Sequence, residues 1–245
     1  MYGDLDRPPM RADALNRALA PDGYRVEVLE TTPSTNAVVA ERARAGEPHG
    51  LVVVAEDQTA GRGRLDRTWV SPSRAGLTFS VLVRPSGPAH WVPLLGSVGV
   101  ATALREHAGV MAELKWPNDV LVGGKKVAGV LAEAVDGAVV LGIGLNVTTK
   151  ADELPVLDAT SLALEEATTT DRDTVLRAVL RGIADALGDD ARSSYRELCT
   201  TLGRAVRVDL PGGDTATGTA EAIDDDGRLV VDGRAYAAGD VVHLR

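Results

Sequence analysis

Apolar and polar positions fall into two regimes that meet near Leu202. Before it, apolar runs long enough for buried strands alternate with stretches of helical period. After it, short apolar runs are separated by glycine turns. In the first regime, Met10–Ala20 is weakly helical and stops at Pro21-Asp22-Gly23. Tyr24–Leu29 alternates as a strand. The segment Thr32-Pro33-Ser34-Thr35-Asn36 offers caps for a helix over 37–44, which Gly46 closes. Leu51–Glu56 reads as a buried strand, and Gly76–Arg84 as another, stopped by Pro85. Leu94, Leu95, Val98, Ala101, Thr102 and Leu104 recur at helical spacing within Trp91–Ala108. A short strand, Glu113–Lys115, breaks at Trp116-Pro117-Asn118-Asp119. Val127–Val135 and Val139–Val147 read as neighbouring strands joined by Asp136-Gly137. Thr160–Ala167 is expected to be a short helix and Asp171–Leu187 an amphipathic one, with a further helical piece reaching Cys199.

The second regime places strands at Val206–Leu210, Thr215–Ile223, Leu229–Val231, Ala235–Ala237 and Val241–Leu244. Their spacing predicts a small β-barrel. The expected division is a helix-flanked body over 1–200 and a barrel over 201–245.

Composition narrows the function classes. The chain of 245 residues is 44% hydrophobic and carries a net charge of -9. An acidic body attracts neither nucleic acid nor an anionic membrane surface. One cysteine, Cys199, excludes a disulfide framework and points to a reducing, cytoplasmic setting. His49, His90, His107 and His243 lack metal-ligand spacing. The first residues lack the apolar stretch of a secretory leader, and no run is long enough to span a bilayer.

Five stretches depart from this ordinary background. Gly61-Arg62-Gly63-Arg64-Leu65-Asp66-Arg67-Thr68-Trp69 follows a buried strand with three arginines and two glycines. Such a loop is expected to order only by closing over an anion, and Arg suits phosphate or carboxylate. In Leu141–Val147, alternation puts Gly142, Gly144 and Asn146 on one face, so a ligand or a packed helix must lie close to that backbone. Lys115-Trp116-Pro117-Asn118-Asp119 offers hard oxygen acceptors for Mg²⁺ or a ribose, or a simple Asx turn. Lys126 opens an apolar strand and can reach either solvent or a pocket. Ser34, Thr35 and Asn36 can cap a helix or bind a polar ring or carboxylate at its start.

Taken together, these stretches resemble the biotin–protein ligases. The likeness rests on Ser34-Thr35-Asn36, Gln58, the 61–69 loop, the KWPND of 115–119, Lys126–Leu131, Gly142–Val147 and Thr160-Ser161-Leu162. It spans roughly residues 25–165 and fits the C-terminal β-domain as well. The resemblance implies an α+β fold: a mixed sheet like that of class II aminoacyl-tRNA synthetases, flanked by helices, with an SH3-like barrel. It departs at Asp66, where the family usually has Gly, which implies a stiffer and less positive loop. The roughly 24 residues before the first strand are too few for the winged-helix domain some members carry, implying a ligase-only form.

The implied reaction joins biotin to ATP as biotinyl-5′-AMP and then to a lysine of a biotin carboxyl carrier domain of acetyl-CoA, acyl-CoA or pyruvate carboxylase. By the same resemblance, Lys126 and Arg64 would be catalytic. Ser34, Thr35, Asn36, Gln58, Gly61, Arg62, Gly63, Arg64, Lys126, Gly129, Gly142 and Gly144 would line the biotin site. Arg64, Arg67, Trp69, Asn118, Asp119, Lys126, Asn146 and Arg245 would hold ATP, with Asp119 on Mg²⁺. Trp69 could equally be core. The implied assembly is a monomer or weak homodimer. Two rivals remain: a lipoate or octanoate ligase or transferase of similar fold, and a non-enzymatic nucleic-acid module built on the arginine loop. The KWPND and GRGR stretches oppose the first. The acidic charge and lack of exposed aromatics oppose the second.

Overall fold

The computed structural model describes residues 7–65, 67–188 and 191–244. The body is a seven-stranded sheet built from β1 (Arg25–Thr32), β2 (Leu51–Gln58), β3 (Gly76–Val83), β4 (Ala112–Lys115), β5 (Asp119–Val122), β6 (Lys125–Val135) and β7 (Ala138–Asn146). The spatial order is β1-β2-β3-β7-β6-β5-β4. Only the β1–β2 pair is parallel, because a helix, α2 (Thr35–Arg44), connects them; every other pair is antiparallel. The sheet is therefore mixed, as the resemblance implied.

Helices cover both faces unequally. α2 lies on one face against β2, β3, β7 and β6, over a small core of Val39, Ala43, Val53, Leu82 and Val140. The other face carries the main core, under α1 (Ala12–Leu19), α3 (Val92–His107) and α4 (Arg172–Gly188). α3 and α4 cross so closely that a Cβ on Gly99 would lie 2.5 Å from the backbone nitrogen of Ile183, and one on Gly182 2.5 Å from the carbonyl oxygen of Gly99. Both positions need glycine because no side chain fits between the helices. A buried ion pair, Arg172 to Glu56 at 2.6 Å, ties α4 to β2. Arg172 also donates to the Pro8 carbonyl, and the Met10 amide donates to Glu56.

After α5 (Arg192–Leu198) the chain forms a five-stranded antiparallel sheet in the order β11-β10-β9-β8-β12. Its strands are β8 (Ala205–Asp209), β9 (Thr215–Ile223), β10 (Leu229–Val231), β11 (Arg234–Tyr236) and β12 (Asp240–His243). Val206, Val208, Ala220, Ile223 and Leu229 join the main core, so barrel and body share one apolar interior. Polar contacts reinforce the seam. The Trp91 and Trp116 indoles donate to the Asp225 and Gly227 carbonyls at 2.7 and 3.1 Å. No helix among the described residues is long and apolar enough to cross a membrane.

Two sequence expectations fail. Residues 160–167 form turns, not a helix, because their amides are drawn sideways to other strands. The Thr160 amide donates to the Lys126 carbonyl, that of Leu162 to Asn146 and that of Ala163 to Val147. The break at 116–119 also hides a strand. Trp116-Pro117-Asn118 is the connection of a hairpin in which Lys115 faces Asp119, and β5 runs on to Val122. A second tight turn at Gly123-Gly124 then starts β6 at Lys125, ahead of the expected Val127.

Candidate active site

The floor of the site is the face of the sheet that α2 only partly covers. The ladders align two rows across it. One runs Ala55, Thr78, Gly144, Gly129, Asp119 over β2, β3, β7, β6 and β5; the next runs Val53, Ser80, Gly142, Leu131. Glycine in β7 leaves a groove, and two side chains enter it. A Cβ on Gly142 would strike the Asn36 amide, and one on Gly144 would strike the Trp69 ring. Both a helix start and an aromatic thus occupy the space that alternation left open.

At one end of the groove the first turn of α2 meets β2 and β3 through buried polar groups. Gln58 Oε1 accepts from the Thr35 amide at 2.9 Å and its hydroxyl at 3.2 Å. Ser80 Oγ lies 2.7 Å from Thr35 Oγ1 and 2.5 Å from Asn36 Oδ1. Asn36 Nδ2 donates to Glu133 Oε1 at 2.6 Å. Ser34, Thr35, Asn36 and Ser80 are all buried, so leaving any of these groups unpaired would cost about 1–3 kcal/mol.

The other end holds the charge. Lys126 Nζ sits 2.6 Å from Asp119 Oδ1 and 5.9 Å from the centre of the Trp69 ring. The ammonium therefore points into the cleft, not out to solvent. Asn118 Nδ2 is committed to the Val130 carbonyl at 3.0 Å, which locks β5 to β6 beside Asp119.

The arginine loop arches over the groove, and its order has an origin the sequence did not suggest. It is a small hairpin, with Arg62 bridged to Thr68 and backbone bonds from Gly63 to Arg67 at 2.6 Å and from Trp69 to Gly61 at 3.0 Å. The protein's own carboxylates meet its cations. Arg62 pairs with Glu133 at 2.9 Å, and Arg67 pairs with Asp240 of the barrel. Arg64 has no carboxylate partner among the described residues, and burial pushes its guanidinium below the ordinary value while Asp119 pulls it back. The expectation that only an external anion orders this loop is corrected accordingly.

Together these elements frame a cleft that is open to solvent on one side. It is lined by Ser34, Thr35, Asn36, Gln58, Arg62, Gly63, Arg64, Arg67, Trp69, Asn118, Asp119, Lys126, Gly129, Gly142 and Gly144. Gly61 is not part of this lining; it borders an adjoining depression at the base of the flap. Asn146 is buried away from it and donates to the Thr160 carbonyl at 2.9 Å. Asp66 and Arg245 lie outside the described residues.

Thr78, Ser80, Glu133 and Asp240 also shape the site and were missed by sequence reasoning. Thr78 and Ser80 were legible as two hydroxyls at period two inside an apolar strand. Glu133 shares β6 with Gly129 on the same alternation. Asp240 carries no local signal; only the fold brings the barrel to the flap.

Fold and cleft define a class: a mixed-sheet domain with one inward ammonium, an arginine flap and an appended barrel. Residues 28–149 match the biotin/lipoate A/B protein ligase family, and residues 201–244 match the biotin protein ligase C-terminal domain. The chain is 41% identical over 263 residues to the biotin--[acetyl-CoA-carboxylase] ligase of Mycobacterium tuberculosis, covering 99% of this chain and 98% of that one. It is 31% identical to the Paracoccus denitrificans ligase of the same name, covering 85% of this chain and 94% of that one. Aquifex aeolicus biotin protein ligase, solved with biotin and ATP, superposes with a TM-score of 0.76 at 30% identity, covering 90% of this chain and 98% of that one. The chain belongs to the biotin protein ligase family.

Proposed function

We propose that this protein activates biotin with ATP as biotinyl-5′-AMP and transfers the acyl group to a lysine of a biotin carboxyl carrier domain. The carrier would belong to an acetyl-CoA, acyl-CoA or pyruvate carboxylase. The catalytic unit is drawn over 1–200 and the barrel over 201–245, acting as a monomer or weak homodimer in the cytoplasm. The observation that carries the reading is the polarity of the cleft: neutral hydrogen-bonding groups at the α2 end, a lysine at the other, and arginines above.

The ureido ring of biotin suits the α2 end, where Ser34, Thr35, Asn36 and Gln58 offer donors and acceptors at fixed positions. Its carboxylate then extends past the Asn36 amide and the Trp69 ring, which fill the space over Gly142 and Gly144, toward Gly129 and Lys126. Two anions, this carboxylate and the α-phosphate, must meet for the acyl–phosphate bond to form. Lys126 lowers their repulsion, and Arg62 and Arg64 close over the mixed anhydride. Arg67 is within the same flap to take the departing pyrophosphate, and Trp69 covers the adenosine side. The acceptor amine attacks the acyl carbon and AMP leaves. Every step relies on position and fixed charge, with no enzyme nucleophile.

Mg²⁺ fits this arrangement as a companion of ATP. No group of three or more His, Cys, Asp or Glu side chains among the described residues could hold a metal alone. Magnesium commonly binds through one or two carboxylates plus substrate phosphates, and Asp119, beside Asn118, supplies such a carboxylate. The ion would neutralise phosphate charge.

The test is pyrophosphate release by the purified chain given ATP with biotin, with lipoate, or with neither. Release that depends on biotin, followed by streptavidin-detectable label on a carrier domain, is the expected result. Release that depends on lipoate, or that needs no acid, would sink the reading.

A further inference from the structure

We propose that Glu133 is the positioning residue that couples the ring-binding end of the cleft to the arginine flap. The inference rests on the function proposed above and deepens it. Glu133 is not among the residues lining the cleft; it borders an adjoining depression that shares Arg62 and Leu131 with it. Yet a single oxygen, Oε1, accepts from two places: Asn36 Nδ2 at 2.6 Å and Arg62 Nη2 at 2.9 Å. Asn36 belongs to the α2 end of the cleft, and Arg62 belongs to the flap.

A carboxylate only accepts, so it dictates the orientation of the Asn36 amide. Nδ2 must face Glu133, and Oδ1 is left toward Ser80. Glu133 thereby decides which end of that amide the cleft presents. The pair with Arg62 is half exposed, at 47% and 29% for the two side chains, and such pairs alone add little stability. Its value lies in the shared oxygen. A ligand that displaces the Asn36 amide moves the carboxylate that holds the base of the flap, and closure of the flap tightens the amide in return. Thermodynamic linkage makes that exchange reciprocal.

Trypsin reads the flap directly, since it cuts after Arg62, Arg64 and Arg67. In the wild-type chain, biotin alone should slow cutting at these sites. In Glu133→Gln, the KM for biotin in pyrophosphate release should rise about tenfold, in the range of ordinary coupling, with a smaller change in kcat. Saturating biotin should no longer protect the flap, while cutting elsewhere and the thermal midpoint stay near wild type. The double variant Arg62→Gln/Glu133→Gln should lose no more than the costlier single variant. Wild-type KM and wild-type protection in Glu133→Gln, or additive losses in the double variant, overturn the proposal. If Glu133→Gln gives no cooperative thermal transition, Arg62→Gln decides. Biotin must then fail to protect Arg64 and Arg67, and retained protection overturns the link. A wild-type chain that shows no biotin-dependent pyrophosphate release would instead refute the proposed function.

Discussion

Lys126 and Asp119 meet inside the cleft, Nζ to Oδ1 at 2.6 Å, because β6 carries one residue more than β5. Asp119 pairs with Gly129 and Val120 with Ala128, but Leu121 then pairs with Lys126, leaving Val127 extra. Without that bulge, alternation would send Lys126 to the helix-covered face. With it, the side chain lies beside Gly129, whose Cβ position is 3.3 Å from the lysine Nζ.

Lys126→Ala is therefore expected to lower biotin-dependent pyrophosphate release by at least about 10²–10³-fold, the range for losing one preorganised charge-stabilising group. Lys126→Arg should not restore it, because a planar guanidinium cannot replace a point charge in this corner. Near-normal release from either variant would remove Lys126 from the chemistry.

Among the described residues Arg64 is the flap cation without a carboxylate partner, and burial already disfavours its charge. Arg64→Gly should leave adenylate formation measurable but let the intermediate escape. The readout is free biotinyl-AMP in the medium and label on unrelated lysines. A variant that retains its intermediate as long as wild type argues against a lid.

Gly144→Ala places a methyl against the Trp69 ring, within 2.6 Å of its Cζ2. Overpacking of this kind costs about 1–3 kcal/mol unless the ring moves away. A ring pushed aside by the methyl would disturb the nucleotide side of the cleft, so the expected phenotype is a raised KM for ATP with biotin binding little changed. Equal effects on both substrates would contradict a role for Trp69 on the nucleotide side.

The buried Arg172–Glu56 pair predicts a stability effect distant from the chemistry. Glu56→Gln strands the arginine charge, and breaking such a pair costs about 3–5 kcal/mol. At about 2–4 °C per kcal/mol, the thermal midpoint should fall by roughly 10 °C. Replacing both partners with apolar residues should recover much of the loss, and a midpoint that does not move in the single variant would refute the assignment.

His243 links pH to the barrel seam. Burial, with Lys115 and Arg204 nearby, lowers its imidazole from 6.5 to about 4. The neutral ring lies 3.2 Å from the Thr201 hydroxyl, which also accepts from the Trp116 amide. A folded value below the unfolded one means the stability contribution is complete above pH 6.5 and is lost as pH falls toward 4. Denaturant midpoints measured across that window should slope for the wild type and slope less for His243→Gln.

Period and turn chemistry are local properties, and what they govern could be read directly from the chain. The strands Leu51–Glu56, Gly76–Arg84 and Val139–Val147, the helix over Trp91–Ala108 and the glycine-punctuated barrel all follow from neighbours within a few positions. The grouping of Ser34–Asn36, Gln58, the arginine loop, Asp119 and Lys126 into one candidate site came instead from the resemblance to the biotin–protein ligases, since these stretches lie far apart along the chain. The direction in which Lys126 points did not follow, because a one-residue bulge reverses alternation without leaving a mark in composition. Nor did the partners of the flap. Glu133 and Asp240 are ordinary acidic residues in their own strands, and only β6 pairing and the docking of the barrel bring them to Arg62 and Arg67. The short helix expected at Thr160–Ala167 was lost for the same reason: its amides found better acceptors on strands distant in sequence. Tertiary contact sets charge partners and facing, since Coulomb and hydrogen-bond energies depend on distance in space, whereas propensity depends on distance along the chain.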